Sequence, residues 1–297
     1  MKNISRWLKE VYDSSAVKIV AGSCGLQKAE SLLKLLGGSA VHIDFEGRRS
    51  RRLKSAEDVM TLLGRHRWTG RRDIVLNEPA RVRGHSKLIR ELQASGVWNV
   101  FVVISAKHAL EDLEKYAPET PYEVYRAWQP LEKSRSSRFL ESVWNAIYIY
   151  DVSDGMENAS VRRFSALAEY YSDHIGEVIS NRALAKALEV NGNRGCATLL
   201  GQYRRRLESS YVIEFADCYN CFERVVVPNR GKVFFCDMGM RNWRFGAAWT
   251  DNARRVKLNE LYLKLRTQYD KVYYPYDCME ADFVTIGARG RVEKWQI

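Results

Sequence analysis

"VKIVAGSCGLQKAES", residues 17–31, is the stretch whose reading decides the fold. It opens on a β-branched run, turns at glycine, and continues as a helical pattern from Lys28. Strand, glycine turn and helix in that order frame a phosphate-binding loop, G-x-x-x-x-G-K-[ST]. The glycines of such a loop let backbone N–H groups wrap phosphate, its lysine neutralises the β/γ charge, and its hydroxyl ligates Mg²⁺. Gly22, Gly25 and Lys28 fall in register with it. Gln27 stands where the second glycine is required, and Ala29 stands where Ser or Thr is required. Taken alone, the stretch is equally a plain strand–turn–helix that carries one lysine.

Working outward, short β-branched runs recur at "VKIVAG" (17–22), "AVHIDF" (40–45), "DIVLNE" (73–78) and "NVFVVIS" (99–105). Helical patterns lie between them, at 28–36, 56–63 and 85–95. This alternation predicts an α/β domain built on a parallel sheet. "DIVLNEPARVRG" lies where a second nucleotide-site strand would end in Asp-Glu. Asn77 takes the place of the Mg²⁺-coordinating Asp, and Glu78 is the acid that would polarise the attacking water. The plainer reading of this pair is a polar strand end before the Pro79 turn.

In these motifs and their order the chain resembles the prokaryotic AAA-type ATP-binding proteins that carry a C-terminal domain of unknown function with a restriction-endonuclease-like core. That resemblance makes "VFVVISAK", with Ser105, the strand that ends in a small polar residue. "KVFFCDMGMRN" and "EADFV" match the later third of the family pattern. The implied protein is a degenerate member. An amide at 77 offers a hard cation no negative charge, and Ala29 offers it no oxygen. Since phosphoryl transfer rests on positioning and charge neutralisation, the expectation is weak ATP binding at most, without Mg²⁺ and without hydrolysis.

The middle of the chain reads as a long helical stretch (131–150), a polar linker, and further helix to about 210. "NRALAKALEVNGNRGCATLLGQYRRRLESSYVIEF" has the layout of a helix-turn-helix followed by a strand, with "NGNRG" as the turn. Leu199, Leu200, Tyr203 and Leu207 share one face of the second helix. Thr198, Gln202 and Arg205 lie on the other side, within reach of a groove. Arg194, Arg204, Arg205 and Arg206 would supply phosphate contacts rather than base readout. The resemblance also places a winged helix here; such segments serve equally as packing adaptors.

A nuclease of the restriction-endonuclease type needs a metal held by carboxylates and a lysine near the scissile phosphate. "LNELYLKLR" presents Glu260 on a helix, "MEADFV" presents Asp282 with Glu280 beside it, and "VEKWQI" offers Gln296 at the last acidic or amide position. The lysine expected two residues later falls beyond Ile297, so catalysis is not expected. Glu260 as a solvated helix residue and Asp282 as a strand-edge acid remain the plainer alternative. Asp237 reads as a turn residue before Gly239. "VEKWQI" is expected to be an edge strand open to self-association.

A net charge of +11 favours partners with phosphate backbones or acidic surfaces. The basic residues concentrate in "GRRSRRLK", with Arg48, Arg49, Arg51 and Arg52, and in "GRHRWTGRRD". The longest apolar runs fall far short of a bilayer span, and the first residues mix Arg6 and Lys9 with Glu10 and Asp13 instead of forming a signal core. The six cysteines are scattered apart from Cys218 and Cys221, and a lone C-x-x-C lacks the second ligand pair of a zinc site. A reduced, cytoplasmic setting follows.

The expected architecture is α/β throughout. An AAA-like P-loop domain with a parallel sheet spans 1–129, a helical and winged-helix region 130–216, and a partial PD-(D/E)XK nuclease-like domain 217–297. The leading functional expectation is a nucleic-acid-binding protein, mainly for non-specific duplex DNA. The alternatives are an active ATPase or metal-dependent nuclease, and a structural subunit that assembles with intact relatives.

Overall fold

The computed structural model describes residues 4–22, 25–37, 39–105, 113, 115, 119–126, 137–153, 156, 160–190, 197–246, 253–269, 271–276, 280–287 and 290–297. The chain divides into two compact units, Lys2–Ala127 and Trp128–Ile297.

The first unit is built from α1 (Ile4–Val11), β1 (Val17–Ala21), α2 (Gly25–Leu35), β2 (Val41–Asp44), α3 (Ala56–Gly64), β3 (Arg72–Asn77), α4 (His85–Ala94), β4 (Trp98–Ile104) and β5 (Tyr122–Arg126). The strands form one parallel sheet in the order β2-β3-β4-β1-β5. Every residue of β1 and β4 is buried. Both strands lie inside the sheet with helices covering its faces, which is why they read as apolar runs broken only by Lys18 and Asn99, each at the second position. β2, at one edge, is buried only at Ile43.

Two elements went unanticipated. β5 forms the other edge from "YEVYR", whose charges masked its alternation. α1 lies in the charge-mixed N-terminal segment, yet Trp7, Leu8 and Val11 are buried in one cluster with Val20, Ala29, Leu32 and Tyr125. The entry to α3 is fixed by a capping box. Asp58 N–H donates to Ser55 Oγ at 3.3 Å, and the Asp58 carboxylate accepts from Ser55 N–H at 2.9 Å. "RRSRR" (48–52) coils into a 3₁₀ turn after β2. Gly47 at its start packs closely on Asp44, where a Cβ would lie 2.9 Å from Oδ2 and 3.1 Å from the backbone oxygen.

The second unit contains α5 (Ser137–Ala146), running into a π-helical stretch at Ile147–Val152, then α6 (Val161–Asp173), α7 (Asn181–Val190), α8 (Ala197–Ser209), β6 (Ile213–Asn220), β7 (Val225–Phe235), α9 (Met238–Phe245), α10 (Ala253–Arg266), β8 (Val272–Pro275), β9 (Phe283–Ile286) and β10 (Val292–Trp295). The sheet order is β10-β9-β8-β6-β7. β6 and β8 are parallel; the other neighbours are antiparallel. The segments at 224–228 and 232–239, which read as separate strands, are one long β7, with a register shift on β6 at Asp217/Cys218 that absorbs the irregularity.

Polar groups fasten α10 to this sheet. Asn259, fully buried, donates to Phe235 O and accepts from Phe235 N–H, each at 2.8 Å. Tyr262 stacks on Phe234 at 4.3 Å and donates to Glu214 at 2.9 Å. Arg266 grips the same carboxylate with two bonds of 2.9 Å. Burial opposes the charge on Arg266, but the Glu214 bonds outweigh it and hold its pKa above the ordinary value.

Candidate functional site

Because all five strands of the first sheet are parallel, their carboxyl ends open along one edge. The chain leaves β1 toward β2 on one side, and β4 later connects to β5 across β1, so the winding direction reverses there. Ligands of open α/β sheets sit outside the carboxyl ends at such a reversal. Gly22, Asp44, Asn77, Glu78 and Ser105 all stand at or just beyond these ends.

Gly22 has φ +144° and donates its N–H to Ile104 O at 3.1 Å, a backbone state that a side chain would strain. Glu78 donates its N–H to Val103 O at 2.9 Å and is left-handed, φ 54° and ψ 51°, immediately before Pro79. A non-glycine residue held there costs on the order of 1–3 kcal/mol, a kind of strain that gathers at functional sites. Gly25 begins α2, Lys28 is buried in its first turns, and Ser105 is buried at the end of β4. Residues 23–24 of the β1–α2 turn lie outside the described residues.

Positions 29 and 77 are both completely buried. Ala29 is completely buried in the apolar cluster with Trp7, Leu8 and Val11. Asn77, also completely buried, donates its amide N–H to Asp44 Oδ1 at 2.8 Å. Asp44 is the register partner of Asn77 on the neighbouring strand. Asp44 is a site residue that sequence reasoning missed. The residues at 29 and 77 do not supply the hydroxyl and carboxylate that a Mg²⁺ ion bridging phosphate takes: one is a methyl group in the core, and the other offers only a neutral amide oxygen, buried without a hydrogen-bond partner.

At the opposite, amino ends of the strands lies a second polar cluster. Lys18, Asp73 and Asn99 are each the second residue of β1, β3 and β4. The Lys18 ammonium, with no exposed surface, donates to Asn99 Oδ1 at 2.6 Å and to Ser14 O. Asn99 donates to Asp73 at 2.9 Å, Tyr12 donates to Asp73 at 3.0 Å, and Arg71 donates to Asn99 at 3.2 Å. Burial, then the charge of Arg71, pulls the Lys18 pKa down to about 8. The signal was present in the sequence as one polar residue at the same place in three apolar runs.

In the second unit Leu200, Tyr203 and Leu207 of α8 are buried, and Thr198, Gln202 and Arg205 are exposed. Arg204 differs from the expectation of a free phosphate contact. It is half-buried, with its guanidinium 3.8 Å from the centre of the Phe215 ring. Arg206 is half-buried as well, and Arg194 with the "NGNRG" turn lies outside the described residues.

Among the acidic positions, Asp282 pairs with Arg254 at 3.0 Å and accepts from Ile297 N–H at 2.9 Å. The β9–β10 register, carried one residue further, sets Gln296 opposite Asp282. Glu260, Glu280 and Gln296 are exposed. On α10 it is Asn259, not its neighbour Glu260, that engages the sheet. Among the described residues no three His, Cys, Asp or Glu side chains are grouped to hold a metal. Asp237, read as a turn residue, is the N-cap of α9, accepting from Met240 N–H at 2.8 Å. Cys218 is buried on β6, Cys221 is half-buried just after it, and neither is in a disulfide.

Among the described residues no helix is long and apolar enough to cross a membrane. No protein-family model matches the chain, and no curated protein matches it. Among solved structures the chain is similar to the Walker-type ATPase PABY2304 of Pyrococcus abyssi, with 13% identity over 81% of this chain and 94% of that one, at a TM-score of 0.49. It is also similar to a chain of the Drosophila ORC complex bound to AT-rich DNA and Cdc6, with 8% identity over 80% and 87%, at a TM-score of 0.29.

Proposed function

We propose that this chain is an AAA-like P-loop protein that has lost ATP turnover and works by binding nucleic acid. The observation that supports the loss is the burial of Ala29 in the apolar core, where a hydroxyl ligand is required, taken with a neutral amide in place of a carboxylate at 77. The backbone frame persists at Gly22 and Glu78, and Lys28 is retained, so weak nucleotide binding without Mg²⁺ belongs to this reading. Net charge and the exposed Arg48, Arg49, Arg51, Arg52 and Arg205 support the nucleic-acid part. They supply attraction to phosphate without base discrimination.

Duplex DNA retention measured against salt is the test. Retention at about 50 mM salt that falls by orders of magnitude toward about 200 mM supports the proposal. A flat response, or none at low salt, removes nucleic acid as partner. Phosphate release from ATP should stay at background; turnover of about 1 s⁻¹, an ordinary enzymatic rate, overturns the other half. A metal-dependent nuclease is a second reading, supported only by Asp282 facing Gln296 across β9 and β10. It requires plasmid nicking that disappears in Asp282→Asn.

A further inference from the structure

Between the edge strand β2, the basic 3₁₀ turn and α3 lies a cavity of about 500 Å³, within the size range of small-ligand sites. Its apolar lining comes from Ile43, Leu53 and Leu62, and its hydroxyls from Ser50 and Thr61. Arg49 and Arg52 enter it from the turn, Arg65 from the end of α3, and His42 from β2. Three arginines and a single acid, Asp58, therefore line it. That carboxylate already accepts from Lys54 N–H at 2.8 Å and Ser55 N–H at 2.9 Å in the capping box. Among the described residues none of Arg49, Arg52 and Arg65 is in an ion pair. Burial lowers the His42 pKa, against the opposing pull of Asp44 and Glu30.

We infer that this cavity binds a small phosphorylated ligand of nucleotide size, at a site separate from the β1–α2 turn. Clustered guanidinium groups suit phosphate because their planar forks bond its oxygens in pairs. Uncompensated by the protein's own acids, they leave the anionic charge to the ligand. The apolar lining gives the uncharged body of the ligand somewhere to rest. The division within "RRSRR" is specific: Arg49 and Arg52 line the cavity, and Arg48 and Arg51 do not. The inference does not rest on nucleic-acid binding, since it concerns a free ligand and adds Arg65, which that reading does not use.

Calorimetric titration of the full chain in EDTA, with ADP, pyrophosphate and adenosine as probes, tests it. ADP should bind best, and adenosine about tenfold or more weaker, since it lacks the charge that the arginines take up. Arg52→Ala with Arg65→Ala should weaken ADP by about tenfold or more with an unchanged thermal melt. Arg48→Ala with Arg51→Ala, of equal charge loss, should change it far less. No ADP binding at about 1 mM overturns the inference. So does loss on Lys28→Ala with retention in the Arg52/Arg65 variant, which would move the nucleotide to the β1–α2 turn. Equal loss in both arginine pairs would mean a diffuse charge effect and no pocket.

Discussion

At position 77 an amide and a carboxylate are not interchangeable, because the neighbour is Asp44. Asn77→Asp, the change that a sequence comparison suggests for restoring a metal site, places two carboxylates at the present 2.8 Å contact. One of them must keep a proton, its pKa raised above the unfolded value. The penalty, about 2 kcal/mol, is therefore present at neutral pH and relieved as the pH falls through the raised pKa. Urea unfolding of variant and parent from acid to neutral pH measures it, and equal stability at pH 7 would contradict the geometry. Lys18 gives the complementary case. Its folded pKa of about 8 lies below its unfolded value, so the unfolded chain binds more protons between them and stability rises with pH through that interval. Below it the cost is fully present. Lys18→Met should remove this rising limb, and persistence of the limb in the variant would place its origin elsewhere.

Among elements, α10 separates what a pattern shows from what packing decides. Glu260 is the acid that a nuclease motif selects, yet it is exposed, and Asn259 beside it holds both backbone groups of Phe235. Asn259→Leu leaves a buried N–H and a buried C=O unpaired, at about 3 kcal/mol together. Glu260→Ala should change stability by no more than about 0.5 kcal/mol, as exposed substitutions do. Denaturation midpoints that rank the two variants the other way round would refute this account of the helix. On α8 the same distinction divides neighbouring arginines. Arg204 lies on Phe215, a cation–π contact worth about 0.5–2 kcal/mol. Arg205 is exposed, so Arg204→Ala should lower the melting temperature and Arg205→Ala should not.

For the molecule as a whole, the second sheet ends at β10. The inner side of β10 is well fastened: Trp295 donates to Thr285 at 2.9 Å, Trp295 O accepts from Asp282 N–H at 2.8 Å, and Glu293 accepts from Tyr269 at 2.5 Å. No described strand pairs with its outer side. We propose that a second copy pairs there, since an unpaired strand edge is a template for another chain. Deleting residues 292–297 should convert a self-associating species to monomer in light scattering. A parent that is monomeric at every concentration would show the edge to be protected.

By itself, the sequence determined the alternation of apolar runs and amphipathic helices, and with it the parallel sheet. Strands covered on both faces must be apolar throughout, and β1, β3 and β4 are legible for that reason. It also determined that Ala29 departs from the phosphate-loop pattern and Asn77 from the acidic end of the second strand. Only the tertiary structure decided what those residues touch. Asp44 reaches Asn77 through strand register, across 33 residues of chain, and no local pattern encodes such a contact. Burial likewise chose Asn259 over Glu260 and set Arg204 apart from Arg205. Adjacent residues of similar polarity differ there only in which face of the helix meets the core, and the core is assembled from distant parts of the chain.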